Sequence, residues 1–251
     1  MASKVRDQNI RPSRRAFFEK AVSGLGLLAL APGVKLVDLA VGKSDAEPVS
    51  ATTRWGMFVD TSKCARGCTE CVDACNDEHG LHGFDRPETD AQWIRKIDLV
   101  DESSGETHSL PMLCQHCADP PCVDVCPTGA SFVRADGIVL VDKHTCIGCR
   151  YCMLACPYKA RSFIHENLSD QRPFSPRGKG TVESCNFCVH RVDEDRTPAC
   201  VEACTEAGHN ALVFGDLEDE NSVVSRSLRD NASIEVRADL KLNTAVRYAG
   251  I

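Results

Sequence analysis

Aromatic residues are scarce in this chain, with three tyrosines and two tryptophans among 251 residues. No uncharged run reaches the ~20 apolar residues that a helix needs to span a bilayer. Signatures of bond-making chemistry are missing as well: there is no Gly-x-Ser-x-Gly elbow, no Walker loop and no dinucleotide fingerprint. Beyond the first forty-odd positions no Lys/Arg-rich block occurs, and the formal net charge is −7. An acidic chain without a basic patch lacks the surface that phosphate backbones require, which excludes nucleic acid as a partner. Apolar residues make up 43% of the chain, enough for a buried core and too many for wholesale disorder. What the chain has in excess is cysteine, sixteen in all. So many thiols must be occupied, by disulfides or by metal.

Residues 1–46 read as an address. Lys4, Arg6, Arg11, Arg14, Arg15 and Lys20 precede a fourteen-residue uncharged stretch from Ala21 to Val34, the charged-then-apolar order of an export signal. That stretch is too short, and too interrupted by Gly24, Gly26, Pro32 and Gly33, for a stable anchor. Ser13-Arg14-Arg15-Ala16-Phe17-Phe18-Glu19-Lys20 resembles a twin-arginine signal. Ser44-Asp45-Ala46 is the preferred cleavage position and Ala29-Leu30-Ala31 the alternative. Removing residues 1–46 takes away eight Lys/Arg and four Asp/Glu and leaves 21 against 32, a mature charge of −11.

The cysteines fall into four groups of four: Cys64, Cys68, Cys71, Cys75; Cys114, Cys117, Cys122, Cys126; Cys146, Cys149, Cys152, Cys156; and Cys185, Cys188, Cys200, Cys204. The third group has the bacterial ferredoxin spacing Cys-x-x-Cys-x-x-Cys-x-x-x-Cys-Pro, closed by Pro157. In that arrangement three thiolates on a tight loop hold one cubane and the fourth ligates its neighbour. The second group repeats the layout with a longer middle spacing and Pro127. Groups one and four lack the proline; Cys64 stands one residue farther from Cys68 than the ferredoxin spacing, and eleven residues separate Cys188 from Cys200. Crossed ligation is met most simply by nesting, with groups one and four around groups two and three.

Ala130 to Asp142 holds two alternating runs joined at Asp136-Gly137, the signal of a β-hairpin. Arg161–His165 and Ala211–Phe214 read as further short strands. The expected class is α+β: two nested, pseudo-symmetric bacterial-ferredoxin-like units with short hairpins, rich in loops. The inner unit is expected at about 108–166 and the outer from 52–107 and 167–215, within a domain of residues 47–215 followed by a C-terminal extension, 216–251. In that extension Asp219 is expected to cap a helix through about Arg229, and Ile234–Leu242 to be extended.

Two other fates remain open for the thiols. A disulfide framework suits an exported chain, although the tight Cys-x-x-Cys steps would close small rings that constrain the unfolded chain least. Zinc also uses paired Cys-x-x-Cys, but tetrahedral zinc needs no four-cysteine run followed by proline.

The chain resembles the iron–sulfur electron-transfer subunits of the dimethyl-sulfoxide-reductase type over roughly Trp55 to Phe214. Within that family it is most similar to the exported iron–sulfur subunit of the Dsr-type membrane complex associated with dissimilatory sulfite reductase. The residues that carry this likeness are the stretches 67–75, 92–94 and 148–158, with Arg161-Ser162-Phe163. The resemblance implies four [4Fe–4S] clusters: Cys64, Cys68, Cys71 with Cys204; Cys185, Cys188, Cys200 with Cys75; Cys114, Cys117, Cys122 with Cys156; and Cys146, Cys149, Cys152 with Cys126. It implies a non-catalytic subunit that relays single electrons on the periplasmic or extracytoplasmic face of the membrane, in sulfur metabolism. The partners implied are a multi-span quinone-interacting membrane subunit and a multihaem cytochrome c. The alternative is a molybdopterin catalytic subunit of the DMSO, tetrathionate or polysulfide reductase type, or a periplasmic hydrogenase.

Several residues near the cysteines have plainer readings. His116 is expected to pack or to bond a backbone group rather than to bind metal. Trp55, Trp93 and Tyr151 are expected to be core or shielding aromatics, and Arg150 and Lys159 to be solvated.

Overall fold

A computed structural model describes residues 49–169 and 171–251; the twin-arginine segment and both cleavage positions lie outside them. In chain order the strands are β1 (Trp55–Asp60), β2 (Ile94–Val100), β3 (Thr107–Leu113), β4 (Ser131–Val133), β5 (Val139–Val141), β6 (Ser162–Phe163), β7 (Val182–Glu183), β8 (Leu212–Asp216) and β9 (Val246–Ala249). The helices are α1 (Glu70–His79), α2 (Pro121–Asp124), α3 (Tyr151–Ala155), α4 (Val189–Val192), α5 (Ala199–Glu206) and α6 (Val223–Asp230). No described helix is long and apolar enough to cross a membrane.

Helix α1 forms where Glu70 and Asp73 place negative charge in its first turn, and it stops at Gly80, which takes the left-handed cap at φ 62. Cys71, Cys75 and His79 are spaced four apart, so they share one face, and all three are buried. On α5, Cys200 and Cys204 are also four apart and buried, and α5 packs against α1. The same happens on a smaller scale where α2, carrying Cys122, packs against α3, carrying Cys152.

Around these helix pairs lie four small sheets. β8 and β9 flank β1, antiparallel and parallel to it; β2–β3, β4–β5 and β6–β7 are antiparallel pairs. The hairpin expected at Asp136-Gly137 is present as β4–β5. Gly137 turns at φ 83, and Arg134 clasps the Asp136 carboxylate at 2.6 Å. The strands expected at Arg161–His165 and Ala211–Phe214 are β6 and β8. Met57, Val59, Leu110, Leu113, Ile138, Phe187 and Tyr248 form one core together with cysteines of all four groups.

The C-terminal segment differs from expectation. Ser222, not Asp219, caps the helix, its hydroxyl accepting from Ser225 N at 3.1 Å, while Asp219 builds the preceding turn. Ile234–Leu242 is extended only at its start, where Ile234 bridges antiparallel to Tyr248; beyond it Arg237 and Lys241 sit in the left-handed region and flank a 3-10 turn at Ala238–Leu240, with Arg237 paired to Asp239 at 2.9 Å. The final strand lies farther on, as β9. There Val246 and Tyr248 are buried, and the Tyr248 hydroxyl donates to Pro111 O at 3.1 Å. Residues 216–251 are thus a working part of the sheet and core rather than an appendage to a domain ending at 215.

Candidate metal centre

Each cysteine group opens with a loop bent in the same way. The residue directly before the second cysteine has positive φ in all four: Gly67 at 76, His116 at 43, Gly148 at 70 and Phe187 at 54. A left-handed residue there curls the backbone so that successive amides turn toward one side, the concave geometry that suits an anionic group.

These loops and the helix pairs bring sulfurs of different groups together. Cys64, Cys68 and Cys71 line one cavity with Cys204, so the longer Cys64–Cys68 spacing does not take Cys64 out of its group. Cys114, Cys117 and Cys122 line a second with Cys156. Cys75 on α1 lies in the electrostatic neighbourhood of Cys185, Cys188 and Cys200. Of the remaining four, Cys152 on α3 is buried and the other three are more open. Cys149 is exposed, and Cys126 and Cys146 are half-buried, accepting backbone amides of Ser131 and Val182 at 3.4 Å each.

No disulfide joins any of the sixteen. Burial pushes Cys71, Cys114 and Cys117 up to about 12, and Cys75, Cys185 and Cys200 well above 9, with neighbouring cysteines adding to the effect in most cases. Cys126 goes the other way: burial is the largest single effect and raises it, but the Ser131 amide, the Thr128 hydroxyl and the Thr128 and Ala130 amides together outweigh it. Buried thiols of this kind ionise only against positive charge that replaces lost water, which metal supplies. Among the described residues no three His, Cys, Asp or Glu side chains close on a single point as one metal ion would require. The sulfurs are spread around cavity walls instead, a donor set that fits a multi-iron cluster better than a single tetrahedral zinc.

Residues 106–216 match the 4Fe-4S dicluster domain family. The chain is 43% identical over 231 residues to the Hdr-like menaquinol oxidoreductase iron-sulfur subunit 1 of Archaeoglobus fulgidus, covering 81% of this chain and 86% of that protein. It is 36% identical to a tetrathionate reductase subunit of Salmonella typhimurium (89% and 81% covered) and 37% identical to protein NrfC of Escherichia coli (91% and 91%). The chain belongs to the [4Fe–4S] iron–sulfur electron-transfer subunits of oxidoreductases. Bound clusters supply reversible one-electron exchange; the protein supplies ligands, hydrogen bonds and shielding.

In this iron–sulfur subunit the shielding groups are partly those expected. His116 is fully buried, accepts the Val139 amide on Nδ1 at 3.0 Å and stacks on Phe187, and burial drives its pKa down to about 3. Trp93 is buried against His79, and Trp55 stacks on Phe214. Tyr151 corrects the expectation: it is exposed, at the first position of α3. Lys159 is exposed, and Arg150 lies over the Phe163 ring at 4.7 Å.

Sequence reasoning missed the side chains that touch sulfur. Lys96 Nζ lies 2.7 Å from Cys64 Sγ, Arg161 Nη2 3.0 Å from Cys122 Sγ, and His79 Nε2 3.3 Å from Cys188 Sγ. Lys96 comes from β2, thirty-two residues beyond its cysteine, so no local pattern announces it. Only His79 carried a signal, its four-residue spacing from Cys75.

Proposed function

We propose that this subunit carries four [4Fe–4S] clusters in two nested, pseudo-symmetric ferredoxin-like units and relays single electrons through them. The sixteen cysteines hold the clusters in crossed sets: Cys64, Cys68, Cys71, Cys204; Cys75, Cys185, Cys188, Cys200; Cys114, Cys117, Cys122, Cys156; and Cys126, Cys146, Cys149, Cys152. The observation that carries this reading is that Cys204 shares a cavity with group one, and Cys156 one with group two. A cysteine distant in sequence completes each set, as crossed ligation demands.

The electron path runs between a multi-span, quinone-interacting membrane subunit and a redox partner outside the cytoplasmic membrane, the chain being exported by the twin-arginine route. A relative that is a subunit of a menaquinol oxidoreductase supports the quinone side. The exposed Cys149, with Ile147, Tyr151 and Leu154 uncovered beside it, offers an apolar face for such a partner. The second terminus is a multihaem cytochrome c in a Dsr-type complex. A molybdopterin catalytic subunit is the competing reading, favoured by the likeness to the tetrathionate reductase subunit.

Iron and acid-labile sulfide analysis of anaerobically purified protein tests the cluster count, with about sixteen irons per chain expected. Zinc, or a metal-free product, overturns it. The complex isolated from membranes then separates the partners by its c-type haem or its molybdopterin.

A further inference from the structure

Arg161 stands at the entrance to β6 and is buried, with 5% of its surface exposed. Its Nη2 donates to Cys122 Sγ at 3.0 Å, while Nε and Nη1, closed off from solvent, meet no partner. Among the described residues no carboxylate pairs with it. A guanidinium in such a place is costly unless negative charge is brought to it, because it stays protonated at every accessible pH.

Its surroundings belong to two cysteine sets at once. Cys114 and Cys122 line the second cavity with Arg161 itself. Cys152 belongs to the neighbouring set, on α3, and α3 packs against α2, the helix that carries Cys122. The side chain therefore sits where both inner sets feel one positive charge.

We propose that Arg161 is a shared cation for the two inner clusters and raises the reduction potential of both. The proposal rests on the four-cluster reading above. Each set of four thiolates gathers negative charge, and each added electron increases it, so a fixed positive charge a few ångströms away favours the reduced state. The effect extends to both sets because the low-dielectric interior screens poorly. Lys96 is its single-set counterpart, touching Cys64 alone. Arg161 makes no bond to iron and is a positioning and tuning residue.

The test is a redox titration of the full chain, purified anaerobically and followed by electron paramagnetic resonance, for wild type, R161M, R161K and R161Q. Iron and sulfide are measured on each sample. With iron at the wild-type level, R161M and R161Q should each shift two midpoint potentials downward by a factor of ten or more in the one-electron equilibrium, about 59 mV, and leave the other two in place. R161K should restore most of both shifts, because it keeps the charge. The proposal is overturned if only one potential moves, if none does, or if R161K behaves like R161Q. It is also overturned if R161M and R161Q both lose iron, since Arg161 would then be a structural support. A wild-type iron content far from sixteen is a different result: it defeats the cluster count, not the role of the arginine.

Discussion

His116 and Phe187 stack face to face, ring centroids 3.7 Å apart at 23°, and each directly precedes the second cysteine of its group. Their counterparts in the other two groups are Gly67 and Gly148. All four take positive φ, but only glycine does so without strain. Where a histidine and a phenylalanine stand, packing must hold the backbone in place, and both rings are buried.

Phe187→Ala should therefore cost about 3–5 kcal/mol, since it empties a buried site and leaves the strained backbone unsupported. Thermal unfolding of the iron-loaded protein reads the loss, with Phe187→Leu intermediate. An unchanged melting temperature would show that the stack supports nothing.

Gly148 makes a second, sharper case. A Cβ there would collide with the carbonyl oxygen of Gly180 and come within 3.1 Å of the Phe163 ring, and backbone cannot step aside. Gly148→Ala should dislodge the third cysteine loop and lower iron by about four per chain. Gly67 has the same positive φ with open space around it, so Gly67→Ala pays only for backbone strain, about 1–2 kcal/mol, and keeps its iron. Equal iron contents in the two variants would contradict the steric argument.

The cysteine arithmetic made the site legible because ligand spacing is local. The loops that wrap a cluster, and the four-residue steps on α1 and α5, are written in consecutive residues. The β4–β5 hairpin was legible for the same reason, through Asp136-Gly137. What could not be read depends on distant pairing. β2–β3 escaped notice because Pro111 interrupts its second strand, although that proline is opposite Lys96 in a two-stranded sheet with a free edge. β9 escaped because its sequence is ordinary and its stability comes from β1, almost two hundred residues earlier. The donors to sulfur, Lys96 and Arg161, are likewise fixed by tertiary packing.

Arg177 and Glu183 form a bidentate pair, Nη2 to Oε1 at 2.8 Å and Nε to Oε2 at 2.9 Å, with both side chains essentially out of solvent. Arg177 also donates to the Gly80 carbonyl that ends α1, so the pair ties that helix to β7. Arg177→Met would leave the carboxylate buried without its partner, a loss of about 3–5 kcal/mol. Adding Glu183→Leu should recover much of it, because the stranded charge is then gone. A double-mutant cycle in denaturant checks this; strict additivity would mean that the two groups do not act as a pair.

Glu78 provides a pH-dependent counterpart on the rim of the same helix. Its carboxylate accepts from Arg191 Nη2 at 2.8 Å and lies 2.6 Å from His190 Nε2. Arg191 foremost, and His190 after it, hold the carboxyl down at about 2 against an ordinary 4.5, with burial opposing them. The folded protein thus releases this proton more readily than the unfolded chain. The stabilisation is complete above the unfolded value of 4.5 and is lost as pH falls through it toward about 2. Glu78→Gln removes the charge and with it the dependence. Melting temperatures of the two iron-loaded proteins should differ by a constant gap from neutral pH down to about pH 5, and the gap should close on further acidification. A gap that widened instead would mean that the carboxylate is held neutral in the fold, and that Arg191 finds its counter-charge in Glu202, 2.5 Å away on α5.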